Sequence, residues 1–332
     1  MSDPTLDIVA IGNAIVDVIA QADDAFIATE GLTKGSMQLL FSTEEAEALY
    51  AKMGQAVETS GGSAANTIAG IAALGGKTGF IGQVAKDQLG HVFEHDIKTL
   101  GVEYTTPARE GEPATARCLI LVTPDGERTM NTFLGASQFL PATALDHELI
   151  EKSAILYLEG YLWDPEEPRA AMDKAIDLAK SAGRRVAFTL SDTFCVDRHR
   201  DGFLELLENG RIDILFANED EIKSLQETED FDEAVARTAA KTPLLVVTRS
   251  EKGAIAVKDG ETYKVAAEPI DRVVDATGAG DQFAAGFLKG QAEGRSIADS
   301  LTMGAMCAAE VIQHVGPRPE SGLRQSIDAR LG

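Results

Sequence analysis

Asp275-Ala276-Thr277-Gly278-Ala279-Gly280-Asp281 runs straight into the helical pattern Gln282-Phe283-Ala284-Ala285-Gly286-Phe287-Leu288, and this meeting of small residues with a helix start is the sharpest chemical signal in the chain. The first N–H groups of a helix have no internal partners and lie at the positive end of its macrodipole, so a Gly-Ala-Gly turn lets a phosphate approach them closely. Asp281 does not suit anion binding, because a carboxylate repels phosphate unless it has a proton to take. It suits a general base. A hydroxyl held between Asp281 and the terminal phosphate of a nucleotide would lose its proton as it attacks, while the amides of Gly278, Ala279 and Gly280 stabilise charge on the transferring group. Without that chemistry, the same residues are a tight turn with Asp281 as a helix cap. Two other nucleotide fingerprints fail: Gly-x-Gly-x-x-Gly at Phe283, and the P-loop at Ile71, where its first glycine would precede Gly76-Lys77-Thr78.

A second glycine element, Gly61-Gly62-Ser63-Ala64-Ala65-Asn66-Thr67, opens another small-residue helix that ends at Gly75-Gly76. Its alanines suit close packing on a sheet. Asn66 is the exception: one turn into the helix, its amide can donate to and accept from a polyol, while Gly62 lets a ligand lie against the backbone.

The elements that must position these residues follow from the pattern. Short β-branched runs alternate with longer helical ones, the signature of βαβ units around a mainly parallel sheet flanked by helices, so the fold class is α/β. Strands are expected at 6–12, 78–82, 154–159, 186–190, 212–217, 244–248 and 254–257. Helices are expected at 63–74, 87–100, 166–181, 232–240, 282–293 and 296–312. Residues 15–20, 37–41, 115–122 and 128–133 read instead as strands without crossover helices, the last two joined by a turn at Pro124-Asp125-Gly126. These predict a small antiparallel sheet, built from segments of about 14–58 and 111–138, that serves as a lid over the strand ends where open α/β sheets bind ligands. The 332 residues then form one unit with a lid subdomain. The acidic stretch 227–233 reads as a solvated loop and helix start.

Composition narrows the function. With 30 basic and 53 acidic residues the net charge is −23, which argues against a nucleic-acid binder. No run approaches 18 apolar residues, and Met1-Ser2-Asp3-Pro4 lacks the basic-then-apolar pattern of an export signal, so a cytoplasmic protein with no membrane partner is expected. Cys118, Cys195 and Cys307 are scattered and odd in number, as expected of reduced core thiols. His91 and His95 share a helix face at metal-ligand spacing, but nothing completes a site, so they read as helix surface.

The two glycine elements together resemble the paired signatures of the PfkB (ribokinase-like) family of small-molecule kinases. Within it the chain is most similar to the adenosine kinases, from about Leu6 to Gly316. That closer likeness rests on Gly12-Asn13-Ala14-Ile15-Val16-Asp17, on Tyr157-Leu158-Glu159-Gly160-Tyr161-Leu162, and on Asp213-Ile214-Leu215-Phe216-Ala217-Asn218-Glu219-Asp220-Glu221. The resemblance implies that Asp281 is the catalytic base and that Gly278, Ala279 and Gly280 form the anion hole. It implies that Asp17 and Asn66, with Gly61 and Gly62 beside them, bind ribose hydroxyls. Asn13 would orient the sugar, Gln38 would meet the base from the lid and Tyr161 would flank it. Arg128, on the lid hairpin, is similar to an arginine that reaches phosphate. Asn218 and Glu221 match an Asn-x-x-Glu element that acts near magnesium and the phosphates. Adenine of the nucleotide would lie among Thr248, Gly253 and a helix around Gly304 to Ala308.

The implied reaction is transfer of the γ-phosphoryl group of ATP, with Mg2+, to the 5′-hydroxyl of adenosine. A sugar kinase acting on fructose, ribose or 2-keto-3-deoxygluconate is the alternative within the same chemistry, and a non-catalytic nucleoside sensor is the alternative of another class. Whether K+ assists near Asp275 and residues 310–316, and whether the chain is a monomer or a homodimer, stay open at this stage.

Overall fold

The computed structural model describes residues 3–320 and 322–332. In chain order its strands are β1 (Leu6–Ile11), β2 (Ile15–Gln21), β3 (Met37–Leu40), β4 (Ala56–Gly61), β5 (Thr78–Ile81), β6 (Glu103–Tyr104), β7 (Ala116–Val122), β8 (Arg128–Phe133), β9 (Ser153–Glu159), β10 (Arg185–Thr189), β11 (Ile214–Asn218), β12 (Leu244–Thr248), β13 (Ala254–Lys258) and β14 (Glu261–Val265). Nine of them form the larger sheet, in the order β14-β13-β12-β11-β10-β9-β1-β5-β6. From β6 through β12 every pairing is parallel, and only β13 and β14 are antiparallel. Its central strands read as almost continuous apolar runs because helices cover both faces.

The helices Ser63–Ala73, Ala279–Ala292 and Ile297–Val311 pack side by side on one face of the sheet, with Ala279–Ala292 in the middle. Small residues set these distances. A side-chain carbon added at Gly286 would stand 2.5 Å from the Met303 carbonyl oxygen and 2.8 Å from the Cys307 sulfur, so the two helices touch through backbone. Gly286→Val should therefore cost about 1–3 kcal/mol, the usual scale of overpacking, read as a lower midpoint of denaturant unfolding.

The remaining strands form a five-stranded sheet in the order β3-β8-β7-β2-β4. It is mixed rather than antiparallel as the sequence suggested. β2 pairs with β7, and β3 with β8, in parallel, while β2–β4 and β7–β8 are antiparallel. The cause is connectivity: two separate excursions from the core interleave, so strands of different excursions lie side by side in the same direction. β4 escaped the sequence reading because it is a mostly polar edge strand. β6 and β14 escaped it as well, and so did the helices Thr193–Glu208 and Glu219–Gln226. All three cysteines are buried and unpaired, and His91 and His95 stand exposed on the helix Gln88–Thr99. Among the described residues no helix is long and apolar enough to cross a membrane.

Candidate active site

A cavity of about 700 Å³ opens between the carboxyl ends of the parallel strands and the five-stranded sheet. Side chains alternate across a strand, so four of the five strands of the smaller sheet send every second residue into this space: Ile15 and Asp17, Met37 and Leu39, Cys118 and Ile120, Met130 and Thr132. The opposite face, with Val16, Val18 and Leu119, is buried in the main core.

Asp281 lies in the wall of the cavity, in the first turn of its helix. The helix begins earlier than its apolar pattern indicated, at Ala279. Its cap is Gly278, with φ of 81° and no side-chain hydrogen bond, so Asp281 is not the cap. The Ala279 N–H donates to the Ala276 carbonyl at 3.2 Å, whereas the Gly280 N–H has no internal partner and suits an anion hole. Ser63 Oγ donates to Asp281 Oδ1 at 2.6 Å, and Asn66 Nδ2 donates more weakly to Oδ2 at 3.4 Å. Burial pushes the carboxyl up to about 6, and these two donors oppose the rise. At pH 7 the group is mainly a carboxylate, yet close enough to titration to take a proton.

Asn66 has a further feature. Its Oδ1 is buried without a hydrogen-bond partner, an acceptor waiting for a hydroxyl. Across the cavity, Asp17 rests on β4: a side-chain carbon at Gly61 would stand 2.4 Å from its Oδ2, so only glycine fits there. Gly62, with φ of 100°, turns the chain into the helix that carries Ser63 and Asn66. Burial pushes the Asp17 carboxyl up to about 6, opposed by Arg318 and Arg128 and reinforced by the charge of Asp281. Tyr161 lines the cavity, its hydroxyl donating to the Ser191 carbonyl at 3.3 Å.

Other expectations are corrected. Gln38 does not meet the cavity. It lies between Met37 and Leu39 on the opposite face of β3, where its Nε2 donates to the buried Asn131 Oδ1 at 2.7 Å. Asn13 lines the cavity but its side chain is engaged, Nδ2 with Glu159 and Oδ1 with Ser137. Thr248 reaches the cavity, whereas Gly253 and Ala308 do not. Gly253 is needed for another reason: with φ of 83° it passes so near the Val265 carbonyl that a side chain has no room.

Asn218 and Glu221 both line the cavity, and they bind each other. Asn218 caps the helix Glu219–Gln226 while Glu221 returns to the Asn218 amide N–H at 2.9 Å and side chain at 2.7 Å, a reciprocal capping box. Among the described residues no group of three or more His, Cys, Asp or Glu is arranged to hold a metal. Asp275 accepts from the amides of Thr277 and Gly316. It also forms an ion pair with Arg128 at 2.7 Å, so a guanidinium already meets its charge.

A half-buried base, an unpaired amide at a helix start and an open polyol acceptor make a site for moving a phosphoryl group to an alcohol. The sequence profile of the pfkB family carbohydrate kinases matches residues 6–321. The chain belongs to the pfkB family. Its ribokinase-like fold agrees with the solved structures of other pfkB kinases. The chain is 46% identical to a probable sugar kinase of Rhizobium etli, with a TM-score of 0.90 and coverage of 98% of this chain and 99% of the other. It is 47% identical to the adenosine kinase of Sinorhizobium meliloti, with a TM-score of 0.89 and the same coverage. The adenosine kinase of Saccharomyces cerevisiae is 27% identical over 334 residues, spanning 94% of this chain and 96% of that protein.

Three residues of this pfkB site were not singled out from the sequence. Ser63 holds the candidate base, and its place next to Gly62 was the available hint. Arg318 donates to the Ser60 carbonyl and hydroxyl and pairs with Asp96 at 2.9 Å, bracing β4 beneath Asp17. Glu159, in the Tyr157 to Leu162 stretch, is fully buried at the end of β9. No local pattern marks Arg318 or Glu159, since their partners lie far away in sequence.

Proposed function

We propose that this kinase phosphorylates the 5′-hydroxyl of adenosine with ATP, giving AMP and ADP. The observation that carries the choice of acceptor is the make-up of the cavity. Beside the polyol end at Asp17 and Asn66, the smaller sheet presents Met37, Leu39, Ile120 and Met130, and Phe194 and Tyr161 also line the space. A free sugar has hydroxyls where this apolar wall would strip them of water, whereas the flat face of a purine is suited to it. Met37, Leu39 and Phe194 are exposed as the protein stands, and closure of the smaller sheet as a lid over a bound purine would cover them.

In this reading Asp17 and Asn66 hold the ribose hydroxyls, Asp281 accepts the proton of the attacking hydroxyl, and the amides at Gly278 to Gly280 meet the phosphate. Arg128 has a buried Nη2 without a hydrogen-bond partner, which suits it to an anion arriving beside Asp275. Bound Mg2+ would neutralise charge on the triphosphate. The residues present suit an ion carried chiefly by phosphate oxygens and water, with Glu221 and Asn218 nearby, because that pair is closed on itself.

The 46% identity to a probable sugar kinase keeps a second reading in view, in which fructose, ribose or 2-keto-3-deoxygluconate is the acceptor. A coupled ADP-release assay across adenosine, other nucleosides and these sugars separates the two. Adenosine is expected to exceed every sugar in kcat/KM by about 10²-fold or more, the scale of burying an aromatic group. Turnover of a sugar with none of adenosine would overturn the proposal.

A further inference from the structure

Glu159 is fully buried in the cavity wall, and among the described residues no Lys, Arg or His pairs with it. Its carboxylate is instead met by three N–H donors. Asn13 N and Asn13 Nδ2 both donate to Oε1 at 2.7 Å, and Ala64 N donates to Oε2 at 2.8 Å. Asn13 is tied further, since Ser137 Oγ donates to its Oδ1 at 2.7 Å. The room is close-cut, for a side-chain carbon at Gly12 would stand 2.7 Å from Oε2.

The location of these partners gives the arrangement its meaning. The chain passes between the two sheets four times: from β1 to β2, from β4 to the helix Ser63–Ala73, from β6 to β7, and out of β8. Asn13 lies on the first crossing, Ala64 just beyond the second, and Ser137 just beyond the fourth. Two of the four crossings therefore meet at one carboxylate, and a third joins them through Asn13. Ala64 also adjoins Ser63, the donor to Asp281, so the same carboxylate fixes the helical turn that holds the base.

We propose that Glu159 is a positioning residue, the hinge pin that couples the seating of the smaller sheet over the acceptor to the placement of Asp281. It acts through Asn13 and Ala64 rather than on the substrate, because both of its oxygens are occupied by those donors. A full carboxylate is required: a Gln at this position would set its own NH2 against either the two Asn13 donors or the Ala64 amide. Burial pushes the carboxyl up to about 7, a cost the three donors only partly offset and one that an apolar or amide side chain would avoid.

The inference rests on the kinase reading, not on the identity of the acceptor. Wild type and Glu159→Gln are to be compared with whichever acceptor wild type uses best, measuring both KM values, kcat, and the ratio of ADP formed to acceptor phosphorylated. In Glu159→Gln the acceptor KM should rise about tenfold, the scale of one broken buried hydrogen bond, while the KM for ATP holds within about twofold. ADP release without acceptor phosphorylation should increase severalfold, because a poorly seated lid admits water. A merely structural role would lower the active fraction, and with it kcat, leaving both KM values and the coupling ratio as in wild type; that result overturns the inference. If Glu159→Gln fails to fold, Ser137→Ala decides, since it removes one arm and keeps the carboxylate. It should shift acceptor KM and coupling in the same direction, and unchanged values for both would end the proposal. Absence of any acceptor-dependent turnover in wild type defeats the kinase reading itself and this inference with it.

Discussion

Asp281→Asn is expected to lower kcat by about 10²- to 10⁴-fold, the contribution of a positioned general base, with little change in acceptor KM. The substitution keeps the side chain's size, so the helix start and the amides of Gly278 to Gly280 stay in place. It removes the ability to take the proton, and its NH2 can face Ser63, whose hydroxyl can turn from donor to acceptor. A pH profile checks the assignment independently. With its carboxyl pushed by burial up to about 6, above the usual carboxylate range, the wild-type base is protonated over a wider acid range, so kcat/KM should fall as pH drops below about 6. Asp17 and Glu159 also titrate near there and interact with Asp281, so this limb belongs to the group of carboxyls rather than to one residue. Near wild-type turnover in Asp281→Asn, at any pH, would remove this residue from the chemistry.

Asp17→Ala should have the second largest effect, a loss of about 10²-fold or more in kcat/KM that falls mainly on acceptor KM, as expected when two hydroxyls lose a charged acceptor. Wild type holds that carboxylate between the backbone of Gly61, where no side chain fits, and the charges of Arg318 and Arg128. Its removal leaves an apolar methyl facing the polyol, while Arg128 and Arg318 keep their ion pairs with Asp275 and Asp96. ATP affinity should change little, because the triphosphate is held at the other end of the site. Titration calorimetry with adenosine makes the check direct, and unchanged affinity in Asp17→Ala would displace Asp17 from the acceptor site.

The two effects differ in kind because the carboxylates do. Both are pushed up to about 6, but Asp281 is held by neutral donors while Asp17 faces two guanidinium groups. A base has to accept a proton and a binding group has to stay ionised, and these surroundings favour that division. The net charge of −23 makes the local cations matter more, since an anionic nucleotide must reach a wall that already holds several acids.

What sequence alone determined was local and periodic. The helix Glu166–Ser181 was read at its true bounds, the parallel strands of the larger sheet other than β6 to within about two residues, and the Gly278 to Asp281 junction was recognisable because unpaired amides at a helix start depend on adjacent residues only. The tertiary structure decided everything that depends on which face or which distant partner a residue meets. Gln38 turned away from the cavity because strand alternation placed Met37 and Leu39 inward, and a shift of one residue in the pleat would have reversed that outcome. Ser63 and Asp281 are 218 residues apart, and Glu159 and Asn13 are 146 apart. Hydrogen bonds over such separations form only after the sheets have paired, so no window of neighbouring residues contains them. The smaller sheet is mixed for the same reason, since strand direction within it follows from how two excursions of the chain interleave and not from the composition of any strand.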